Sequence, residues 1–404
     1  MKTSLLPVLA LAAICLLSAC TPAVSDTAPA HANAVSPDFS HSAGCTESPA
    51  PAADAPSPAP ASVPEAESAP VFEAAPAESD VLLTLDGQPL TAYAQDGALY
   101  LALECYAAAA GAQVREKIGA PPSTPSCTVT TDGGTQRFTM RSDAVYDGER
   151  WFVPLETALN WTGGWTYTDE EENHLYCSSA PRYPTLPEGC RVPVLMYHAV
   201  SDDCWGYEGL FVSPADLETQ LQLLVDEGYT PIWFEDLPDA DQYEKPVILT
   251  FDDGYADNYT ELFPLLKKYN VKATIFVIAD HMGIAHKMTA EQAKELSDSG
   301  LVSIQSHTMT HGLLDTMNAE ELTYQLAQSQ LAIARMTGRV PTVVCYPEGR
   351  YSQLALEAAA RYYTYGTTME VCCYTTDDDP LRVARYAVMR DTDIWTFRCI
   401  IDGL

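Results

Sequence analysis

Basic residues are scarce. Lys and Arg number 22 against 55 Asp and Glu, for a net charge of −33. None falls between Lys2 and Arg115. This argues against nucleic acid as a partner, because binding phosphates needs clustered Lys and Arg. Long apolar runs are also missing. Beyond the N-terminal segment nothing approaches about 18 consecutive apolar residues, so no second membrane span is expected. None of the 12 cysteines forms a C-x-x-C pair, which argues against a zinc ribbon, and no histidine follows His311. What is present is ordinary for a folded protein: 47% hydrophobic and 19% charged residues in 404, room for two or three domains.

Lys2 precedes an apolar run from Leu5 to Leu17, the length of a signal-peptide hydrophobic region. It ends in Leu17-Ser18-Ala19-Cys20, which resembles the lipobox of bacterial lipoproteins. That resemblance implies removal of residues 1–20 and lipidation of Cys20. The protein would then be extracytoplasmic and anchored to the cell membrane by its lipid. An ordinary secretory signal with a chance cysteine is the alternative. Residues 21–80 carry nine acidic residues, no Lys or Arg, and eight prolines between Pro49 and Pro76. Such a segment buries too little apolar surface to offset its ordering entropy, and a disordered tether is expected. Its reach runs from roughly 45 Å as coil to 190 Å extended.

From Val81 an internal repeat appears. Asp96-Gly97 followed by Leu99–Glu104 recurs as Asp147-Gly148 followed by Trp151–Glu156, and Gly111 matches Gly163. Each unit reads as turn, strand, short helix and Gly-marked turn. The pattern over residues 81–180 resembles the copper amine oxidase N-terminal-like domain. No copper is implied, since His174 is the one histidine there and has no ligand cluster around it. A positioning module and a plain spacer both fit. Disulfides are possible outside the cytoplasm, with pairings not deducible.

After residue 190, apolar strands alternate with helical patterns. Strands are expected at Val192–Tyr197, Pro246–Phe251, Ala273–Ile278, Val302–Ser306 and Thr342–Tyr346. Helices are expected after the caps Ser213, Thr289 and Asn318, and from Ala256 to Tyr269. The Ser213 helix would bury Leu217, Leu221, Leu224 and Val225. The expected fold is α/β, a parallel sheet curled into a distorted (β/α) barrel, preceded by the small α+β domain and the tether. Chemically useful residues stand at strand ends: His198, Asp252-Asp253-Gly254, His307 with His311, and Tyr346-Pro347-Glu348-Gly349-Arg350. In parallel α/β folds these ends share one mouth. Asp, His and His make a hydrolytic metal set with open positions, leaving the adjacent Asp free. Asp-Asp-Gly alone is usually a turn, and His-x-x-x-His alone is often two surface histidines; their combination in register carries the reading.

Thr250-Phe251-Asp252-Asp253-Gly254-Tyr255 and Ser306-His307-Thr308-Met309-Thr310-His311 resemble the first two motifs of the polysaccharide deacetylases, the NodB-homology or carbohydrate esterase 4 family. The likeness covers about residues 190–404. It implies a divalent metal, Zn2+ first with Co2+, Ni2+ or Mn2+ as alternatives, held by Asp253, His307 and His311. It implies Asp252 as general base and a backbone N–H of Tyr346, beside Pro347, for the oxyanion. The family's Arg-x-Pro-aromatic third motif, its Asp-containing fourth motif and its C-terminal Leu-x-His are not found. Leu195-Met196-Tyr197-His198 resembles the first-strand motif of the poly-N-acetylglucosamine deacetylase branch, which implies His198 as the general acid. A His bonded to backbone is the alternative. Arg385 would neighbour and orient Asp252, unless it is a surface arginine. Trp205, Tyr207 and Trp233 could stack on sugars, with packing the default for Trp233. His281 and His286 could flank the substrate groove, with solvated loop residues the default. The expected activity is N-acetyl removal from an acetylated cell-surface polysaccharide, peptidoglycan or poly-N-acetylglucosamine in type, by a monomer. A non-catalytic glycan-binding lipoprotein and a xylan-type O-acetyl esterase are the alternatives.

Overall fold

The computed structural model describes residues 74–402, except 118–124, 132–133, 140–143 and 184. Cys20, the leader and most of the tether therefore lie outside the described residues.

The small domain begins at Ala77, so the last residues assigned to the tether are strand. Its sheet runs, edge to edge, Val145–Tyr146, Trp151–Pro154, Ala98–Ala102, Gln88–Gln95, Ala77–Leu85, His174–Ser178 and Trp165–Asp169. The two repeats meet towards one edge of it, where Trp151–Pro154 pairs with Ala98–Ala102. Leu101 faces Val153 in an antiparallel pair, each strand runs straight into a helix, and Tyr106 Oη donates to the Ala158 carbonyl at 3.0 Å. Burying one apolar face needs both copies, which explains why the repeat is a pair.

The second domain is a curled parallel sheet. Its strands are β1 (Val194–Tyr197), β2 (Pro246–Phe251), β3 (Ala273–Val277), β4 (Val302–Ser306), β5 (Val343–Cys345), β6 (Tyr365–Thr367) and β7 (Tyr386–Ala387). The order is β6-β5-β4-β3-β2-β1-β7, with every neighbour parallel. Just before β7, Val383 bridges to Thr367 on β6. The segment Val383–Ala387 thus spans the gap between the sheet's first and last strands and gives it the form of a distorted barrel.

Successive side chains of a strand point to opposite faces. Leu195, Tyr197, Leu249, Phe251, Ile275 and Val277 pack on one side, among the helices. Val194, Ile248, Phe276, Val343, Cys345 and Val383 pack on the other, inside the curl. Ser213 caps the helix Pro214–Asp226 through Asp216 N, and Thr289 with Gln292 forms the expected capping box. Leu217, Leu221 and Leu224 are buried, but Val225 is exposed. It sits one residue past Leu224, about 100° round the helix, outside the apolar stripe. Two expected helices are interrupted. Asn258–Leu262 and Tyr324–Gln328 are π turns, the first leading into the helix Phe263–Tyr269. Among the described residues no helix is long and apolar enough to cross a membrane.

The small domain docks on the barrel domain through Arg335, which donates to both oxygens of Asp169 at 2.7 and 2.9 Å.

Candidate active site

Strand parity and register assemble the site. His198, Asp252 and His307 continue β1, β2 and β4 on the parity that faces the inside of the curl. Tyr197 pairs with Phe251, and the ladder extends one step through Asp252 N to the Tyr197 carbonyl at 2.9 Å. His198 therefore lies beside Asp252, with Nε2 at 3.9 Å from Oδ2. Ser306 pairs with Val344, so His307 lies beside Cys345 and its Nδ1 meets the Cys345 carbonyl at 2.8 Å.

Asp253 leaves the strand with φ +75°, and His311 closes its turn with φ +60°. Positive φ in non-glycine residues costs about 1–3 kcal/mol each and concentrates at functional sites. Gly254 follows at φ +64°, where a Cβ would stand 3.0 Å from Val277 Cγ1. That close approach turns Asp253 towards the histidines.

Asp253 Oδ1 is 3.6 Å from His307 Nε2 and 3.6 Å from His311 Nε2. Two ligand atoms about 2.1 Å from one tetrahedral ion stand roughly 3.4 Å apart, so these three side chains fit a divalent cation. The Nδ1 contact of His307 fixes its tautomer and turns Nε2 to the site. The imidazoles also titrate apart. Burial opposes protonation of His307, but Cys345 and the two carboxylates push it up to about 10. Burial and His307 push His311 down to about 4. A second grouping, Asp252, His307 and Cys345, is also compact. It fits a cation poorly, because a guanidinium already lies on Asp252.

That guanidinium is Arg385. Its Nη1 donates to Oδ1 at 2.8 Å and its Nη2 to Oδ2 at 2.9 Å, with both residues buried. Further bonds run from Nη1 to Thr250 Oγ1 at 3.0 Å and from Nε to the Thr368 carbonyl at 3.1 Å. Burial alone would raise the Asp252 carboxyl; facing Arg385 and His198 it is held well below the ordinary carboxylate range. Burial lowers His198, against the pull of Asp252 and Asp253. The result is an ionised acceptor and a weakly basic imidazole across one opening.

Residues 239–365 match the model of the family described as polysaccharide deacetylase. They form a polysaccharide deacetylase domain. The chain is 37% identical over 186 residues to YxkH of Bacillus subtilis, named as a polysaccharide deacetylase, covering 45% of this chain and 65% of that protein. It is 28% identical over 160 residues to the peptidoglycan-N-acetylmuramic acid deacetylase PdaA of the same organism, covering 39% and 57%. The structure of the Streptococcus pyogenes deacetylase PplD in complex with acetate is similar with a TM-score of 0.50 and 28% identity, covering 52% of this chain and 98% of that one. The matches span less than two thirds of each curated relative's length.

Within the deacetylase domain, one expected role does not fit. The Tyr346 N–H donates to the Thr367 carbonyl at 3.2 Å, because the β5–β6 ladder runs one residue past β5. It is not free for an oxyanion, and Pro347, buried in the turn that follows, has no N–H to offer. The Tyr346 side chain is also buried, its hydroxyl on the Leu381 carbonyl at 2.9 Å.

Trp205 stacks on His286 at 4.2 Å and meets Tyr255 edge-on at 4.8 Å, forming a rim beside Asp253, with Tyr207 exposed. Trp233 is elsewhere, bonded to the Ala273 carbonyl at the start of β3. His281 Nε2 lies 3.6 Å from Oδ1 of its neighbour Asp280. His174 stacks on Tyr176 in the small domain. The described cysteines are free thiols.

Several neighbours of the site carried no recognisable signal. Cys345 Sγ lies 3.4 Å from Asp252 Oδ2 and 3.2 Å from Arg385 Nη2. Lys287 Nζ donates to the Asp253 carbonyl at 2.9 Å, holding the strained turn, and burial lowers it to about 8. Asp257 and Asn258 contact the backbone around His198. The one available clue was proximity in sequence to Asp253.

Proposed function

We propose that this chain is a metal-dependent deacetylase that removes N-acetyl groups from a cell-surface polysaccharide. The observation that carries the reading is the pairing of a metal-fitting triad, Asp253, His307 and His311, with an adjacent carboxylate that is ionised and fixed by Arg385. A pure binding site has no use for that second carboxylate held in readiness.

Asp252 accepts the proton of the attacking water. Arg385 keeps it ionised and fixes its orientation. Asp253, His307 and His311 would hold the divalent ion, zinc being the first expectation. When bound, such an ion lowers the pKa of water and polarises the acetyl carbonyl. His198, 3.9 Å from Asp252, lies where it can protonate the departing nitrogen; an amide nitrogen needs that proton to leave. Its lowered basicity makes its protonated form a stronger acid. Water and the amide give acetate and a free amine on the polymer. Trp205, beside Asp253, offers an apolar edge to a sugar ring.

The substrate proposed is peptidoglycan glycan or poly-N-acetylglucosamine. Lipidation at Cys20 and a tether before Ala77 would let the domain work above a membrane surface. Acetate release from N-acetylglucosamine oligomers and from peptidoglycan fragments is the test. Release should stop with chelator and with Asp252→Asn. Oligosaccharide binding without release from any acetylated glycan overturns the proposal, and release from O-acetyl xylan alone redirects it to an esterase.

A further inference from the structure

His198 is held by an element with no assigned role. Between β1 and the short strand Ala199–Val200 the chain passes the π turn that opens at Asn258. Asn258 Nδ2 donates to the His198 carbonyl at 3.0 Å and to Asp257 Oδ1 at 3.1 Å. Asp257 Oδ1 also accepts from Val200 N at 3.0 Å. The backbone is therefore gripped on both sides of Ala199. Consecutive helical residues point about 100° apart, so two neighbours converging on one segment is unusual in a regular helix. The π turn lies at the point of convergence, and such turns recur at functional sites.

A second feature sets Asn258 apart. It is fully buried, and its Oδ1 has no hydrogen-bond partner among the described residues. An unsatisfied buried acceptor is destabilising, a cost that an apolar residue of similar size would avoid. The amide that incurs it is the one that donates to His198.

We propose that Asp257 and Asn258 are positioning residues whose clamp sets where the His198 imidazole stands over the leaving group. This rests on the reading of His198 as general acid. The clamp touches neither the metal-fitting triad nor the bond between Asp252 and Arg385. Its loss should therefore damage leaving-group protonation and leave the other steps intact. An amide needs that protonation; an activated aryl acetate ester, whose phenolate leaves unaided, does not.

The experiment compares the full chain with Asn258→Ala, Asp257→Asn, His198→Ala and the Asn258→Ala/His198→Ala double variant on a chitooligosaccharide and on 4-nitrophenyl acetate. Metal content and melting temperature are measured for each. Asn258→Ala should lose about 10- to 100-fold in kcat on the oligosaccharide, as expected for a misplaced catalytic group, with KM within about twofold. Ester turnover should stay within about threefold. Asp257→Asn keeps an acceptor oxygen and should lose less than Asn258→Ala on the oligosaccharide. In the His198→Ala background, Asn258→Ala should add almost nothing, because residues acting as one unit are non-additive. For Asn258→Ala, equal loss on both substrates, no loss on either, or a loss additive with that of His198→Ala overturns the clamp. Should Asn258→Ala not fold, Asn258→Asp, which keeps the volume but replaces the donor with an acceptor, takes its place under the same criteria. If His198→Ala itself treats amide and ester alike, the general-acid reading fails first, and that failure is separate.

Discussion

Arg385 lies along the carboxylate of Asp252 with two parallel bonds of 2.8 and 2.9 Å, although 133 positions separate them. The arginine sits on the segment that spans the open side of the barrel. The segment that closes the sheet therefore also supplies the cation that faces Asp252.

Arg385→Lys keeps the charge but loses the planar fork. About a 10- to 100-fold drop in kcat/KM on an N-acetyl oligosaccharide is expected, by analogy with other partners that orient a reacting group. The pH profile checks the cause. Asp252 is held below its ordinary value by Arg385 against burial. Weakening the pair raises it, so the acid limb of kcat/KM should move to higher pH. An unmoved limb would assign Arg385 to packing alone.

Arg385→Met leaves a buried carboxylate unpaired, which costs about 3–5 kcal/mol. The sign follows from the depressed value of Asp252. Its contribution to stability is complete above the ordinary carboxylate pKa, about 4, and is lost as pH falls through the lower folded value. Denaturant midpoints of the two forms should differ at pH 7 and converge in acid.

Metal analysis should find one divalent ion per chain. His307→Ala and Asp253→Ala should abolish its retention and reduce activity by at least about a hundredfold. Chelated wild type should recover on adding zinc. Full turnover after exhaustive chelation would remove the cation from the account.

Trp205→Ala removes the indole that spans His286 and Tyr255. KM for oligosaccharides should rise by about tenfold, with a smaller change for a monosaccharide. Equal effects on long and short substrates would make Trp205 a packing residue of the loop.

Arg335→Ala unties the domains. Asp169 is depressed, first by its bonds from Arg335, so the pair stabilises above about pH 4 and fades as pH falls through the lowered value. A loss of about 1–3 kcal/mol at pH 7 is expected, read as faster amide exchange along Trp165–Asp169.

The motifs at the ends of β1, β2, β4 and β5 were legible because strand and helix periodicities are local properties of the chain. Two adjacent aspartates after an apolar run, and two histidines four apart after another, announce their side of a sheet. Cys345 and Asn258 gave no such notice. Cys345 meets Asp252 across 93 positions and Asn258 meets His198 across 60, and no spacing rule connects them. The Tyr346 N–H failed as an oxyanion donor for a related reason. Where a ladder stops depends on the partner strand, here β6, and not on the residues of the motif. Val225 was misplaced by one helical step, which a stripe read from spacing does not resolve.

Residue order alone determined which groups could do chemistry and at which strand ends they stand, because alternation along a strand is built into the backbone. Only the tertiary structure decided their partners. Curling the sheet brought Arg385 to Asp252, extending the β5–β6 pairing consumed the Tyr346 amide, and a π turn brought Asn258 to His198. Each of those contacts depends on register and closure, which the whole chain sets together.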